Sequence, residues 1–212
     1  MPAPAVGRRD VDAVVFDVGG VLLTWDPRYL FDDLIPDEVE RHHFLTEVCS
    51  PAWNSAQDGG RLWAEAVAEA TARHPGAHAH IRAFDEQWHR TVGGVIDGTA
   101  AILRELRAAG IGVYGLTNFS AEKWPIAVER WPVLAELDGV VVSGSERVTK
   151  PDPRIYRLLL DRFGLAADRT FFTDDAQVNV DGARAVGISA ERFLDPASLR
   201  EQLRRLGLLA QD

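Results

Sequence analysis

The sequence predicts an α/β fold in which helices cover both faces of a doubly wound parallel sheet. Three features favour this class. Apolar runs of strand length recur along the chain, and they are continuous, as in strands buried on both faces. Stretches with helical apolar spacing separate them, which indicates βαβ units. One long helical segment interrupts this alternation and predicts an inserted domain.

Five apolar runs are predicted as strands of the sheet: residues 11–16, 111–116, 139–142, 170–173 and 188–193. The helices between them are predicted over residues 99–109, 121–130, 153–163 and 176–185. Ile102, Leu103 and Leu106 share one helical face, as residues three and four positions apart do. Gly110 and Gly164 follow two of these helices directly, where a glycine commonly ends a helix.

The interruption lies between residues 24 and 94, in a segment with helical patterns and no run that we predict as a strand. Its helices are expected at residues 37–48, 60–73 and 79–91. Because the segment follows the first strand, we expect it to cover the carboxyl edge of the sheet, where open α/β sheets bind ligands. The predicted organisation is a core of residues 1–23 and 95–212 with an inserted helical cap of residues 24–94.

Composition narrows the classes of partner. The 212 residues carry a formal net charge of −9, whereas nucleic-acid-binding proteins usually present a basic surface. No apolar run approaches the roughly 20 residues that span a bilayer, and the first residues lack the apolar region of a signal peptide. We therefore expect a cytoplasmic protein that binds neither nucleic acid nor membranes, with an exposed cap helix available for a homodimer.

Two residue types are rare enough to be informative. The only lysines are Lys123 and Lys150, because arginine supplies the rest of the positive charge. Such a chain is expected to keep lysine where a compact ammonium group is needed. The single cysteine, Cys49, excludes an intrachain disulfide, and its apolar neighbours predict a buried thiol.

Polar residues follow the predicted strands at the edge where the carboxyl ends meet. They are Asp17, Thr117, Asn118, Asp174 and Asp175, with Lys150 between the third strand and the next helix. Carboxylates suit Mg²⁺, which also takes waters and phosphate oxygens. Lys150, Thr117 and the amides of the Gly19–Gly20 turn suit an anionic phosphoryl group. The sequence therefore predicts Mg²⁺ as cofactor and a small phosphorylated molecule as substrate.

Four segments, in this order, resemble the motifs of the haloacid dehalogenase-like (HAD) hydrolase superfamily. They are FDVGGVL, GLTNFS, VTKPDPRIY and FFTDDAQVNVDGARAVG. The resemblance covers most of the chain and implies a Rossmann-like core, with the helical insert where such families place their cap. Each motif alone is a modest signal, but four in the same order at predicted strand ends are specific.

The resemblance also implies roles in phosphoryl transfer. Asp17 would be the nucleophile that attacks phosphorus and forms an aspartyl-phosphate. Lys150 would neutralise charge on Asp17 and on the transferred group. Gly20 and Thr117 would bind the phosphoryl oxygens, and Asn118 would position the loop or the substrate.

The metal ligands implied by the resemblance are Asp17, the carbonyl of Gly19, Asp174 and, through water, Asp175, with Asn179 as their hydrogen-bond partner. Gly19 departs from the family pattern, because HAD phosphatases usually place there a second Asp that protonates the leaving oxygen and then activates water. Glycine keeps the carbonyl and loses the acid, which commonly costs about 10²–10⁴ in rate. Good leaving groups would suffer least, and a cap carboxylate or a metal-bound water could substitute.

Two other functions stay open. A metal-independent 2-haloacid dehalogenase of this superfamily also lacks the second Asp, and a phosphometabolite-binding protein with low turnover needs no acid. The adjacent carboxylates Asp174 and Asp175 favour the phosphatase, because acidic groups facing Asp17 are costly without a cation.

The segment WNSAQDGGR and the end of the first motif supply the candidates for substrate selection in the cap. These residues are Trp25, Trp53, Asn54, Gln57, Asp58 and Arg61. The alternative for WNSAQDGGR is an exposed loop between helices.

Overall fold

The computed structural model describes residues 11–210, so residues 1–10 and 211–212 of the predicted core lie outside the described part. Its strands, in chain order, are β1 Ala13–Phe16, β2 Leu23–Trp25, β3 Val92–Val95, β4 Gly112–Thr117, β5 Gly139–Val142, β6 Thr170–Asp174 and β7 Ser189–Arg192. Five of them form a parallel sheet in the order β5-β4-β1-β6-β7. The predicted strands and the parallel α/β class are therefore confirmed.

The helices, in chain order, are α1 Arg28–Leu34, α2 Glu38–His43, α3 Pro51–Asp58, α4 Trp63–Arg73, α5 His78–Glu86, α6 Asp97–Ala108, α7 Trp124–Arg130, α8 Ser143–Glu146, α9 Pro153–Phe163, α10 Gln177–Arg184 and α11 Pro196–Arg205. Helix α2 continues into a π-helical turn over Phe44–Val48. Among the helices of residues 11–210, none combines the length and apolarity that a bilayer crossing requires.

The sheet is buried on both faces, which explains why its strands are continuously apolar. Alternate residues of a strand point to opposite faces. Val14 and Phe16 belong to one buried cluster, together with residues of α6 and α11. Val15 lies in the other cluster, which includes residues of α9 and α10. Strand β1 is central, so the residue that follows it lies in the middle of the carboxyl edge.

The prediction that residues 24–94 contain no strand is wrong. Strands β2 and β3 form a separate antiparallel ribbon, with Thr24 opposite Gly94. The ribbon was not predicted because β3 has the sequence VGGV, and glycine is depleted in strands. Gly93 is required there, since a Cβ atom would lie 2.7 Å from Thr24 Oγ1. The chain thus enters and leaves the helical segment through two paired strands.

The segment of residues 24–94 contains more helices than predicted, because α1 and α3 were not expected. Helix α3 covers the first part of WNSAQDGGR, so the interpretation of that stretch as an exposed loop is wrong for residues 53–58. Its start carries a recognisable signal: the Ser50 side chain accepts a hydrogen bond from the Trp53 amide at 3.2 Å, and proline occupies the first turn.

Several polar contacts join the helical segment to the core. The Trp63 indole donates to Ser120 Oγ at 3.0 Å, and the Ser143 hydroxyl donates to the Asp58 carbonyl at 2.6 Å. The buried Lys123 ammonium pairs with the Asp85 carboxylate and lies 4.6 Å from the centre of the Trp63 ring. These contacts hold the helices over the carboxyl edge of the sheet.

Candidate active site

Asp17 directly follows β1 and lies at the centre of the carboxyl edge. Its amide donates to the Thr173 carbonyl at 2.9 Å, which extends the β1–β6 pairing by one residue. The Val18 amide and the Lys150 ammonium contact its Oδ1 atom at 2.7 and 2.8 Å. Both contacts hold one carboxylate oxygen, so Oδ2 is the oxygen left to act on a substrate.

Lys150 is buried beneath this carboxylate. Its Nζ atom lies 2.8 Å from Asp17 Oδ1, 2.6 Å from Asp174 Oδ2 and 2.9 Å from the Leu116 carbonyl. The Asn118 side chain fixes the Lys150 backbone, because its amide donates to the Lys150 carbonyl at 3.0 Å and its oxygen accepts from the Lys150 amide at 2.8 Å. Asn118 therefore holds the loop that carries the ammonium group.

Asp174 ends β6 and is completely buried. Besides the Lys150 ammonium, it accepts hydrogen bonds from the Ala176 amide at 2.9 Å and from Asn179 Nδ2 at 3.0 and 3.1 Å. Asn179 thus contacts a predicted metal ligand, as the sequence resemblance implies. Asp175, the next residue, is exposed.

The carboxylates of Asp17, Asp174 and Asp175 form a cluster suited to a divalent cation. Each offers one oxygen, and these atoms lie within 4.8 Å of one another. Ligand oxygens of an octahedral Mg²⁺, with bonds of about 2.1 Å, are about 3–4 Å apart, so small side-chain movements bring the cluster into range. All donors are hard oxygen atoms, which Mg²⁺ prefers. The residues present therefore fit a Mg²⁺ ion.

The electrostatics of the cluster also favour a cation. Burial raises the pKa of Asp17 above its ordinary value, and the neighbouring Asp174 raises it further, against the opposing effect of Lys150. Burial and Asp174 likewise raise the pKa of Asp175. Burial lowers the pKa of Lys150, but the two adjacent carboxylates outweigh burial and raise it. One ammonium group thus faces three carboxylates, and a bound cation would offset the excess negative charge.

Gly19 and Gly20 form the turn after Asp17 and differ in their surroundings. Gly20 has a φ of +77°, and a Cβ atom there would lie 2.6 Å from Asp175 Oδ2. At Gly19 a Cβ atom would meet no heavy atom within 4 Å. The left-handed backbone and the Asp175 side chain therefore favour glycine at position 20, whereas position 19 has open space among the described residues.

A cavity of about 300 Å³ opens above these residues. Of the predicted site residues, Asp17, Gly19, Gly20, Asn118, Lys150 and Asp175 line it. Thr117 and Asp174 are buried at the ends of their strands and are not among the lining residues. The phosphate contact of Thr117 stays a prediction.

The six predicted cap residues divide into two groups. Trp25, Asn54 and Asp58 line the cavity, whereas Trp53, Gln57 and Arg61 do not. The latter three contact one another: Arg61 donates to Gln57 Oε1 and to the Trp53 carbonyl, both at 2.8 Å. Their role in the structure is to connect α3 with the turn that follows it.

Several lining residues were not predicted, and most of them are aromatic or aliphatic. They are Leu23, Pro51, Trp63, Trp88, Val92 and Phe119, with Ser55 and Ser120 as polar additions. Trp63 and Trp88 could not be identified from the sequence, since apolar residues at helical spacing look the same in a core and in a cavity wall. Only the placement of the helices over the sheet distinguishes the two.

The parallel core, the helical insertion and the carboxylate at the end of its first strand define a class of hydrolases. Residues 11–187 match the model of the haloacid dehalogenase-like hydrolase family. The chain therefore belongs to that family, and the resemblance drawn from its four motifs is confirmed.

Similar proteins fall into more than one branch of the family. A sesquiterpene phosphatase of Aspergillus oryzae is 28% identical over 196 residues, which cover 92% of this chain and 95% of that protein. A HAD family enzyme of Bacteroides thetaiotaomicron, solved as a magnesium complex, superimposes with a TM-score of 0.74 at 19% identity, covering 92% of this chain and all of that one. The L-2-haloacid dehalogenase of Xanthobacter autotrophicus superimposes with a TM-score of 0.64 at 21% identity, covering 94% of this chain and 85% of that one. The two structures establish the fold.

Proposed function

We propose that this protein is a Mg²⁺-dependent phosphatase that hydrolyses a small phosphorylated metabolite through an aspartyl-phosphate on Asp17. The observation that carries the proposal is the cluster of Asp17, Asp174 and Asp175 around the buried Lys150 ammonium. Three carboxylates in one partly buried site are unfavourable without a cation. A substrate that brings further negative charge, as a phosphate does, needs that cation even more.

The nucleophile is held for attack. Lys150 and the Val18 amide both contact Asp17 Oδ1, which leaves Oδ2 as the proposed attacking oxygen. Bound Mg²⁺ would be held by Asp17, the Gly19 carbonyl, Asp174 and, through water, Asp175, and it supplies the positive charge that lets a phosphate dianion approach a carboxylate. The Gly19 amide is the proposed hydrogen-bond donor to a phosphoryl oxygen. The predicted phosphate contact of the Gly20 amide does not fit this structure, because that amide donates to the Leu23 carbonyl at 2.8 Å. The helical segment of residues 24–94 acts as the cap that covers them.

The walls of the cavity restrict the organic part of the substrate. Away from the carboxylates the lining is mainly apolar, with Trp25, Trp63, Trp88 and Phe119 among its members. Apolar walls with a few polar groups are typical of sites for small molecules. We propose an organic group with substantial apolar surface, and the similarity to a sesquiterpene phosphatase supports this choice.

The decisive experiment measures phosphate release from a panel of prenyl, aryl, sugar, amino-acid and nucleoside monophosphates, with Mg²⁺ and with EDTA. We expect release that EDTA abolishes and that excess Mg²⁺ restores, with prenyl or aryl phosphates among the best substrates. Asp17→Asn should abolish turnover, whereas Glu65→Gln, an exposed carboxylate on α4, serves as the unaffected control. Activity unchanged by EDTA contradicts the metal mechanism.

A 2-haloacid dehalogenase is the second candidate, because Gly19 removes the acid that a phosphatase of this family usually has. Dehalogenation at carbon needs neither this acid nor a metal. Halide release from 2-chloropropionate in EDTA, without phosphate release from any ester, would favour this function. Ligand-induced thermal stabilisation by phosphoesters with no turnover would instead favour a binding protein.

A further inference from the structure

The proposed reaction needs a proton donor that the glycine turn lacks. Hydrolysis of a phosphate monoester leaves an alkoxide oxygen that must be protonated, and the second step needs a base for the attacking water. Gly19 supplies neither, and the space where its side chain would lie is open to the cavity. A side chain that performs these proton transfers would have to come from another wall.

Few side chains that line the cavity can transfer a proton at neutral pH. Within residues 11–210, the ionisable ones are Asp17, Asp58, Lys150 and Asp175. Asp17 is the nucleophile, and Asp175 belongs to the carboxylate cluster. Lys150 already places its ammonium against Asp17, Asp174 and the Leu116 carbonyl. Asp58 is the carboxyl group without such a role.

Asp58 lines the cavity as the last residue of α3, in the helical segment. Its backbone is fixed to the core, because its carbonyl accepts the Ser143 hydroxyl at 2.6 Å. Gly60, two residues on, lies so close to the core that a Cβ atom would be 3.0 Å from the Gly144 carbonyl. The side chain of Asn54, one turn earlier on α3, lies 3.5 Å from Asp58 Oδ2 and also lines the cavity. Asp58 is thus held in place over the site.

We propose, on the basis of the phosphatase function above, that Asp58 of the cap is the general acid and base that replaces the aspartate missing at position 19. In the first step, Asp17 Oδ2 forms a bond to phosphorus, the bond from phosphorus to the leaving oxygen breaks, and the Asp58 carboxyl gives its proton to that oxygen. In the second step, water attacks phosphorus, Asp58 takes its proton, and the bond from phosphorus to Asp17 breaks. Phosphate leaves, and both residues return to their initial states.

The environment of Asp58 suits both steps. Burial raises the pKa of Asp58 to about 7, and the Lys150 ammonium and the Ser120 amide offset this only in part. A carboxyl group with a pKa near the working pH can donate in one step and accept in the next.

The test compares Asp58→Asn with the wild-type protein on p-nitrophenyl phosphate, whose leaving group needs no proton, and on an alkyl phosphate. We expect kcat/KM for the alkyl phosphate to fall by about 10²–10⁴ and that for p-nitrophenyl phosphate by less than about tenfold. A burst of p-nitrophenol should appear, because hydrolysis of the aspartyl-phosphate loses its base. Adding Gly19→Asp to Asp58→Asn should restore the alkyl phosphate activity, since position 19 has room for the side chain.

Controls separate this role from binding and from folding. Glu65→Gln should leave both substrates unaffected, and Mg²⁺ should still raise the melting temperature of Asp58→Asn. Should Asp58→Asn not fold, Asp58→Ser gives the same comparison. If the wild-type protein is a phosphatase, and Asp58→Asn loses activity equally on both substrates without a burst, the role of Asp58 is contradicted. The proposed function is then unaffected. A wild-type protein that releases no phosphate from any ester contradicts the proposed function as well.

Discussion

The adjacent glycines after the nucleophile offer a matched pair of substitutions, Gly19→Ala and Gly20→Ala. Both add one methyl group to the same turn. The structure predicts opposite outcomes, because Gly20 has a φ of +77° and lies against Asp175, whereas Gly19 lies outside the left-handed region and has open space around it.

The magnitudes follow from this difference. An alanine in the left-handed region costs about 1–2 kcal/mol. The new methyl group would lie 2.6 Å from Asp175 Oδ2, and moving that side chain off its preferred rotamer costs about 0.5–1.5 kcal/mol. Gly20→Ala should therefore lower the free energy of unfolding by about 2–3 kcal/mol. Gly19→Ala should change it by less than about 1 kcal/mol, because the gain from a stiffer unfolded chain is of that size.

Urea unfolding of both variants, with and without Mg²⁺, measures these differences. Gly20→Ala should also reduce the stabilisation by Mg²⁺, because Asp175 must move away from the cluster, and Gly19→Ala should keep it. Equal stabilities for the two variants would refute the account of the turn. Full Mg²⁺ stabilisation of Gly20→Ala would refute the assignment of Asp175 to the metal site.

Two further predictions concern groups outside the site. Lys123→Met should lower the free energy of unfolding in urea by about 1–3 kcal/mol. This loss lies between those for exposed and buried ion pairs, because the Asp85 side chain stays 30% exposed. Wild-type stability of Lys123→Arg would show that a compact ammonium group is not required. Burial raises the pKa of Cys49 to about 12, so Ellman's reagent at pH 8 should label it only after unfolding, and rapid labelling of the native protein would contradict this.

The core could be predicted from the sequence because each of its strands is buried on both faces. A short, continuous apolar run such as the one that forms β5 is typical of a strand buried on both faces, and its bounds were predicted correctly. Strand β3 was missed for the opposite reason. Its two glycines remove the apolar signal, and its pairing with β2 depends on residues about 70 positions away.

The same contrast holds for the candidate site. Asp17, Asp174 and Asp175 were predicted because they lie at the carboxyl ends of strands, and parallel strands bring these ends together. Lys150 was predicted in the connection between the third core strand and the next helix. The cap walls could not be predicted, since they depend on how α3 and α4 pack over the sheet. Trp53 and Trp63 are both buried tryptophans on neighbouring helices, and only Trp63 lines the cavity.

The rarity of lysine in this chain directed attention to Lys123 and Lys150. Lys150 bridges Asp17 and Asp174 beneath the cavity, and Lys123 pairs with Asp85 where the helical segment meets the core. Both are buried, although lysine is among the residues least often found there. Both lysines lie in buried ion pairs, and the need for a compact ammonium group there stays a prediction, which Lys123→Arg tests.

The central claim is that Asp17 is phosphorylated during turnover. Its most direct test is an acid quench of the protein during steady-state hydrolysis of p-nitrophenyl phosphate with Mg²⁺, followed by mass spectrometry of the peptide that contains Asp17. We expect a phosphoryl group on Asp17 that is more abundant in Asp58→Asn and absent when Mg²⁺ is removed by EDTA. Turnover without any phosphorylated Asp17, in the wild-type protein and in Asp58→Asn alike, would contradict the claim.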